Sequence, residues 1–192
     1  MGNFYVNITL RGPKQEEIGT ALKALGRTAI VSPSKNDFTT VYDAECDEQD
    51  TGAISAFTKE LSFRLSCPGW SVMNHDDDIL LYELYDKGEL IDQYNSSPDY
   101  FSMEADDPSG PKGGNADALV RLMGNSGDAA EAENIIRISS FDEDGFVFAV
   151  ERHQALADCL GLPSFTVGYG YNYVSGGEMP PEFEETDFLE VR

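Results

Sequence analysis

Asp142, Asp144 and Glu151 stand at the third, fifth and twelfth positions of the stretch Ser140 to Glu151, a spacing at which carboxylate oxygens can converge on one hard cation. Gly145 takes the sixth position, where such a loop must turn sharply, and Val147 the apolar eighth. Ser140 holds the first position and supplies no charge. The same residues also read as an acidic turn, Asp142-Glu143-Asp144-Gly145, that caps a following helix while Glu151 stays in water.

At Asp142, Asp144, Gly145, Val147 and Glu151 the stretch resembles the calcium loop of an EF-hand, and it departs from that motif at Ser140. The resemblance implies calcium as the ligand of Asp142, Asp144 and Glu151. His75-Asp76-Asp77-Asp78 is a second polar group, an imidazole beside three carboxylates, suited in principle to a divalent metal or to general-base work. Neighbouring residues of an extended turn point different ways, so at most two of the four can share a ligand, and a solvated hairpin turn is expected. Gly110-Pro111-Lys112-Gly113-Gly114-Asn115 precedes a helix as a phosphate cradle would, but the Walker and dinucleotide spacings are missing and nearby acids repel phosphate, so a linker is expected. His153 falls on an apolar helix face with Ala149, Leu156 and Leu160, the setting of a core histidine, and Cys159 nearby is equally apolar. No serine lies in a Gly-x-Ser-x-Gly elbow. These residues point away from catalysis, although carboxylate pairs cannot be placed in space from sequence.

The elements that must position these groups follow from periodicity. Phe4, Val6, Ile8 and Leu10 alternate with polar residues as in a strand with one buried face. Pro13, then Ile18, Leu22 and Leu25 before Gly26, mark an amphipathic helix. Thr28 to Val31 and Phe38 to Tyr42 read as a hairpin, Ile54, Phe57, Leu61 and Leu65 as a second helix, and Trp70 to Met73 as a fourth strand. This β-α-β-β-α-β order predicts an α+β, ferredoxin-like sandwich, extended by a hairpin of Ile79 to Tyr85 and Glu89 to Tyr94. Residues 1–100 would form that core and residues 101–114 an acidic Gly/Pro-rich loop. Residues 115–179 would add helices and one last strand, in which Phe165, Val167, Tyr169, Tyr171 and Tyr173 alternate with small or polar residues. Residues 180–192 would be an acidic tail that frays unless Phe183, Phe188 and Leu189 dock.

Charge sets the classes of partner. Against 35 Asp and Glu the chain has 13 Lys and Arg, a formal charge of −22, and that field repels nucleic-acid phosphates and anionic membranes. Neither direct nucleic-acid binding nor membrane association is expected. Three scattered cysteines fit reduced thiols, and the opening residues lack a secretory signal, so the expected compartment is the cytoplasm. The function that suits these features is a non-enzymatic, acidic protein-binding module, of the kind an immunity or inhibitor protein uses to neutralise a basic partner. The alternatives are the calcium-binding protein implied above and a DNA mimic whose acids block a nucleic-acid enzyme.

Overall fold

The computed structural model describes residues 2–101, 109–125, 128–139, 142 and 145–192. Strand β1 (Tyr5–Arg11) leads into α1 (Gln15–Ala24), whose Glu16 and Glu17 lie at the positive end of the helix dipole and Lys23 at the negative end. A hairpin of β2 (Ala29–Val31) and β3 (Phe38–Asp43) follows. The Asp50 carboxylate accepts the Ala53 N–H at 2.7 Å and so starts α2 (Thr51–Arg64). Strands β4 (Pro68–His75), β5 (Ile79–Asp86) and β6 (Glu89–Asn95) form a meander, and Lys87 and Gly88 adopt the positive φ that a tight hairpin turn requires.

Lys112–Gly113 forms the short β7 against β6, so the end of the expected linker belongs to the sheet. Asn115 caps α3 (Ala116–Met123) and Asp128 caps α4 (Ala129–Arg137), each through a side-chain oxygen. Helix α5 (Ala149–Leu160) ends at Gly161, which takes the left-handed conformation. The short α6 (Tyr171–Ser175) and the strand β8 (Leu189–Val191) complete the chain.

Among the described residues these elements make an α+β fold with one antiparallel eight-stranded sheet and six helices. The sheet order is β7-β6-β5-β4-β1-β3-β2-β8. It is larger than the ferredoxin-like sandwich plus hairpin that the sequence leads one to expect. Helices α1 and α2 cover one face through Ile18, Leu22, Ile54, Phe57 and Leu61, packed on Val6, Ile8, Leu10 and Val41. Helices α3, α4 and α5 cover the other face of β4 and β5 through Leu119, Met123, Ile136, Leu156 and Leu160, packed on Trp70, Val72, Leu80 and Leu84. Burying each such side chain contributes on the order of 2 kcal/mol.

Covering both faces overturns one expectation. The polar residues that alternate along β1 are buried as well: Tyr5, Asn7 and Thr9 are at most 1% exposed. Each is hydrogen-bonded, although the buried Oδ1 of Asn7 has no partner among the described residues. The Asn7 amide donates to the Thr166 and Tyr169 carbonyls, the Thr9 and Thr40 hydroxyls pair at 3.0 Å, and Tyr5 and Nδ1 of His153 share a bond of 2.8 Å.

The expected final strand from Phe165 to Tyr173 does not form. Ser164–Thr166 is a 3-10 turn, Gly168 has φ +82°, and Gly170 starts α6. At Gly170 a Cβ would stand 2.3 Å from an Asp47 oxygen and 3.0 Å from the Tyr5 Cβ, so this glycine serves close approach rather than a ladder. The second half does add an outer strand to the first-half sheet, but from Leu189–Val191, which pairs with β2. The acidic tail therefore docks. Val191 is fully buried, Phe188 packs on Tyr42 and Phe183 on Phe165.

Candidate functional site

Two hollows meet along the N-terminal end of α2, sharing Thr51 and Met73. The first, of about 360 Å³, is floored by Ile54, Met73 and Leu81 and edged by Glu83, Gln93, Asn95 and Lys112. It exists because the sheet runs on past α2. The second, of about 400 Å³, has aromatic walls: Phe4 precedes β1, His75 ends β4, and Phe101 follows the loop beyond β6. The Phe4 ring stands 4.9 Å from His75 at an angle of 81°, and Phe101 stands 5.4 Å from His75 at 68°. Tyr100 adds a fourth ring, 4.8 Å from Phe101 and nearly perpendicular to it. Phe4 and Phe101 are 41% and 68% exposed, unusual for phenylalanines in a chain with so much core to fill.

The backbone here is held in shape. Gln49 takes φ +62° after the 3-10 turn Cys46–Glu48, and its amide nitrogen donates to the Asn74 carbonyl at 2.8 Å. The amide oxygen must then face His75, so the Nδ1 N–H donates to it at 2.6 Å and leaves Nε2 as the acceptor of the neutral ring. Asp47 accepts the N–H of Val6 at 3.2 Å and of Asn172 at 2.8 Å, tying β1 and α6 to the pocket wall. Burial raises the pKa of Asp47 above the usual carboxylate value, against the lowering effect of these amides. Glu48, beside it, is exposed.

The four residues of the β4–β5 turn diverge, each with its own partner. His75 faces Gln49, Asp76 accepts the Gly2 N–H, and Asp78 accepts the Tyr100 hydroxyl at 3.0 Å. Asp77 corrects the solvated reading: it is 9% exposed and accepts from the Asn3 and Asn74 side chains at 2.9 Å, which locks the N-terminus onto the turn. Asp76 and Asp77 both have positive φ, a conformation these bonds stabilise.

In the calcium-like loop, Asp144 lies outside the described residues, as does Ser140. The Asp142 carboxylate accepts the Ser139 N–H at 2.9 Å. Glu151 is the third residue of α5 and accepts the Phe148 N–H at 3.0 Å, half of a capping box. Among the described residues no group of three or more His, Cys, Asp and Glu side chains could hold a metal ion. Phe148 and Val147, beside this turn, are exposed.

His153 is fully buried, with Trp70 edge-on at 5.3 Å, and burial pushes its pKa down to about 3. Burial raises the thiol pKa of Cys46, Cys67 and Cys159, so none is an activated nucleophile. Sequence reasoning found His75 but missed Phe4, Gln49 and Phe101. The available signal for Tyr100-Phe101 was a pair of large rings inside a Ser-, Pro- and Asp-rich loop, where no core needs them. No family model matches the chain, no curated protein is significantly similar to it in sequence, and no solved structure matches it significantly.

Proposed function

We propose that the protein is a non-enzymatic binding module that takes a basic protein partner, in the manner of an immunity or inhibitor protein, on the aromatic surface of Phe4, His75, Tyr100 and Phe101. The observation that carries this reading is the exposure of Phe4, Tyr100 and Phe101 around half-buried His75, with exposed Glu48 in the same hollow and Asp78 bonded to Tyr100. Apolar rings left in water inside a polar rim are the anatomy of an interface, and carboxylates around them select a cationic one. The few cations of the chain reinforce the sign of the field. Arg27 is held by Asp43 and Glu45, Arg64 by Glu60, Arg137 by Glu133 and Arg192 by Glu190, so these four of the thirteen Lys and Arg are offset internally.

As scaffold for this surface we read β1 to β4 with α1 and α2 as a ferredoxin-like half, enlarged at both edges. Beyond it, the helices of the second half free the N-terminal end of α2 for contact by packing on the opposite face.

Affinity capture from the native cytosol, with the intact chain as bait, tests the proposal. A partner retained at low salt, released at high salt and lost with Phe101→Ala is expected. Retention that is indifferent to both salt and Phe101→Ala overturns this surface as the binding site.

A further inference from the structure

The aromatic hollow itself carries a narrower reading, which rests on the proposed function and names what the surface takes hold of. We infer that the pocket of Phe4, Glu48, Gln49, His75 and Phe101 is a receptor for a single arginine side chain presented by the partner. Three of its lining residues, Phe4, His75 and Phe101, are rings, and His75 stands edge to face with each of the other two. A cation over a ring face is attracted by the quadrupole of the ring. Carboxylates stand at the margin: exposed Glu48, and Asp47 with its oxygens already turned to two backbone amides.

Acceptor chemistry chooses among the organic cations. With Nδ1 donating to Gln49, the uncharged form of His75 offers Nε2 as an acceptor, and Glu48 offers two oxygens. A quaternary ammonium has no N–H to give them. A lysine ammonium has three donors but holds its hydration strongly, whereas guanidinium is planar, weakly hydrated and able to stack on a ring while donating in its own plane. A volume of about 400 Å³ leaves room for the aliphatic stem as well, with Met73 as an apolar floor. The chain builds the same arrangement within itself. The Arg27 guanidinium lies 4.2 Å above the centre of Phe57 while it donates to Asp43 and Glu45.

The test is a titration of the intact protein with Nα-acetyl-arginine amide, Nα-acetyl-lysine amide and tetramethylammonium, followed by NMR shifts of His75 and of the Phe4 and Phe101 rings. Saturable shifts confined to this pocket are expected with the arginine probe. The other two should bind several-fold more weakly, and Phe101→Leu or Glu48→Gln should weaken the arginine probe by about fivefold or more. Both positions are exposed, so the variants keep the fold, which circular dichroism verifies. Equal affinity for arginine and tetramethylammonium, shifts elsewhere on the surface, or an unaltered titration in both variants would overturn the inference. If the probes fail while a salt-released partner is still captured and still lost with Phe101→Ala, the arginine pocket falls and the binding surface stands. If the probes bind and no partner is captured, the pocket stands without the proposed function.

Discussion

Between Tyr5 on β1 and His153 on α5 runs a single hydrogen bond across the interior, with Trp70 edge-on to the imidazole. Because burial holds the His153 pKa near 3 while the unfolded chain has the ordinary value of 6.5, folding requires the neutral ring. The sign follows directly. The contribution is complete above about pH 6.5, and it is lost at up to about 1.4 kcal/mol per pH unit as pH falls toward 3, since only the unfolded state takes up the proton. Urea unfolding should therefore show a loss of about 2 kcal/mol from this group between about pH 7 and pH 5, and His153→Gln should show a visibly flatter pH dependence. Identical slopes in the two proteins would exclude the account. Arg152 presents the opposite case, a cation under similar confinement. It is 2% exposed without a carboxylate partner among the described residues, and its guanidinium donates to the carbonyls of Ile135, Ile136 and Ile138 at the negative end of α4, with Phe146 below it. The apolar company of His153 was legible in the spacing Ala149, His153, Leu156, Leu160. Its partner was not, since nothing local links position 153 to position 5. The same holds for the aromatic pocket, whose walls come from residues 4, 47–49, 75, 101 and 172.

The helices and strands of the first half were readable because each carries its own signal: Asp50 before α2, Lys87-Gly88 in the hairpin, a period-two run in β1 and a β-branched and aromatic run in β3. Phe165 to Tyr173 shows how period two misleads. The alternation there arises from two glycines that serve a turn and a close contact, while Tyr169 and Tyr171 pack on Ile30 and Tyr42. β8 shows the converse, a strand too short and too acidic to announce itself, created by the open edge of β2 and by Gly19 of α1, where a Cβ would come within 2.5 Å of Leu189. Removing residues 189–192 uncovers the site of Val191 and frees the β2 edge. Such a truncation should cost about 2–4 kcal/mol, seen as a lower urea midpoint. An unchanged midpoint would show that β8 adds nothing to the sheet.

Across the molecule the helices of the two halves lie on opposite faces of one sheet, so the sheet is the shared wall of two core clusters. Among the described residues no helix is long and apolar enough to cross a membrane. A formal charge of −22 on this one body repels itself, and screening should relieve that. The melting temperature should rise by about 3 °C or more between about 20 mM and about 500 mM potassium chloride, as followed by calorimetry. A fall would show that specific ion pairs outweigh the general repulsion. The pairing of Ala29 with Val191 has a further consequence, for biosynthesis. On the ribosome, the apolar segment Ala29-Ile30-Val31 emerges long before the residues that will shield it. At ordinary elongation rates the nascent chain waits on the order of ten to thirty seconds with that margin unprotected, an interval in which a chaperone or a neighbouring polypeptide can reach it first.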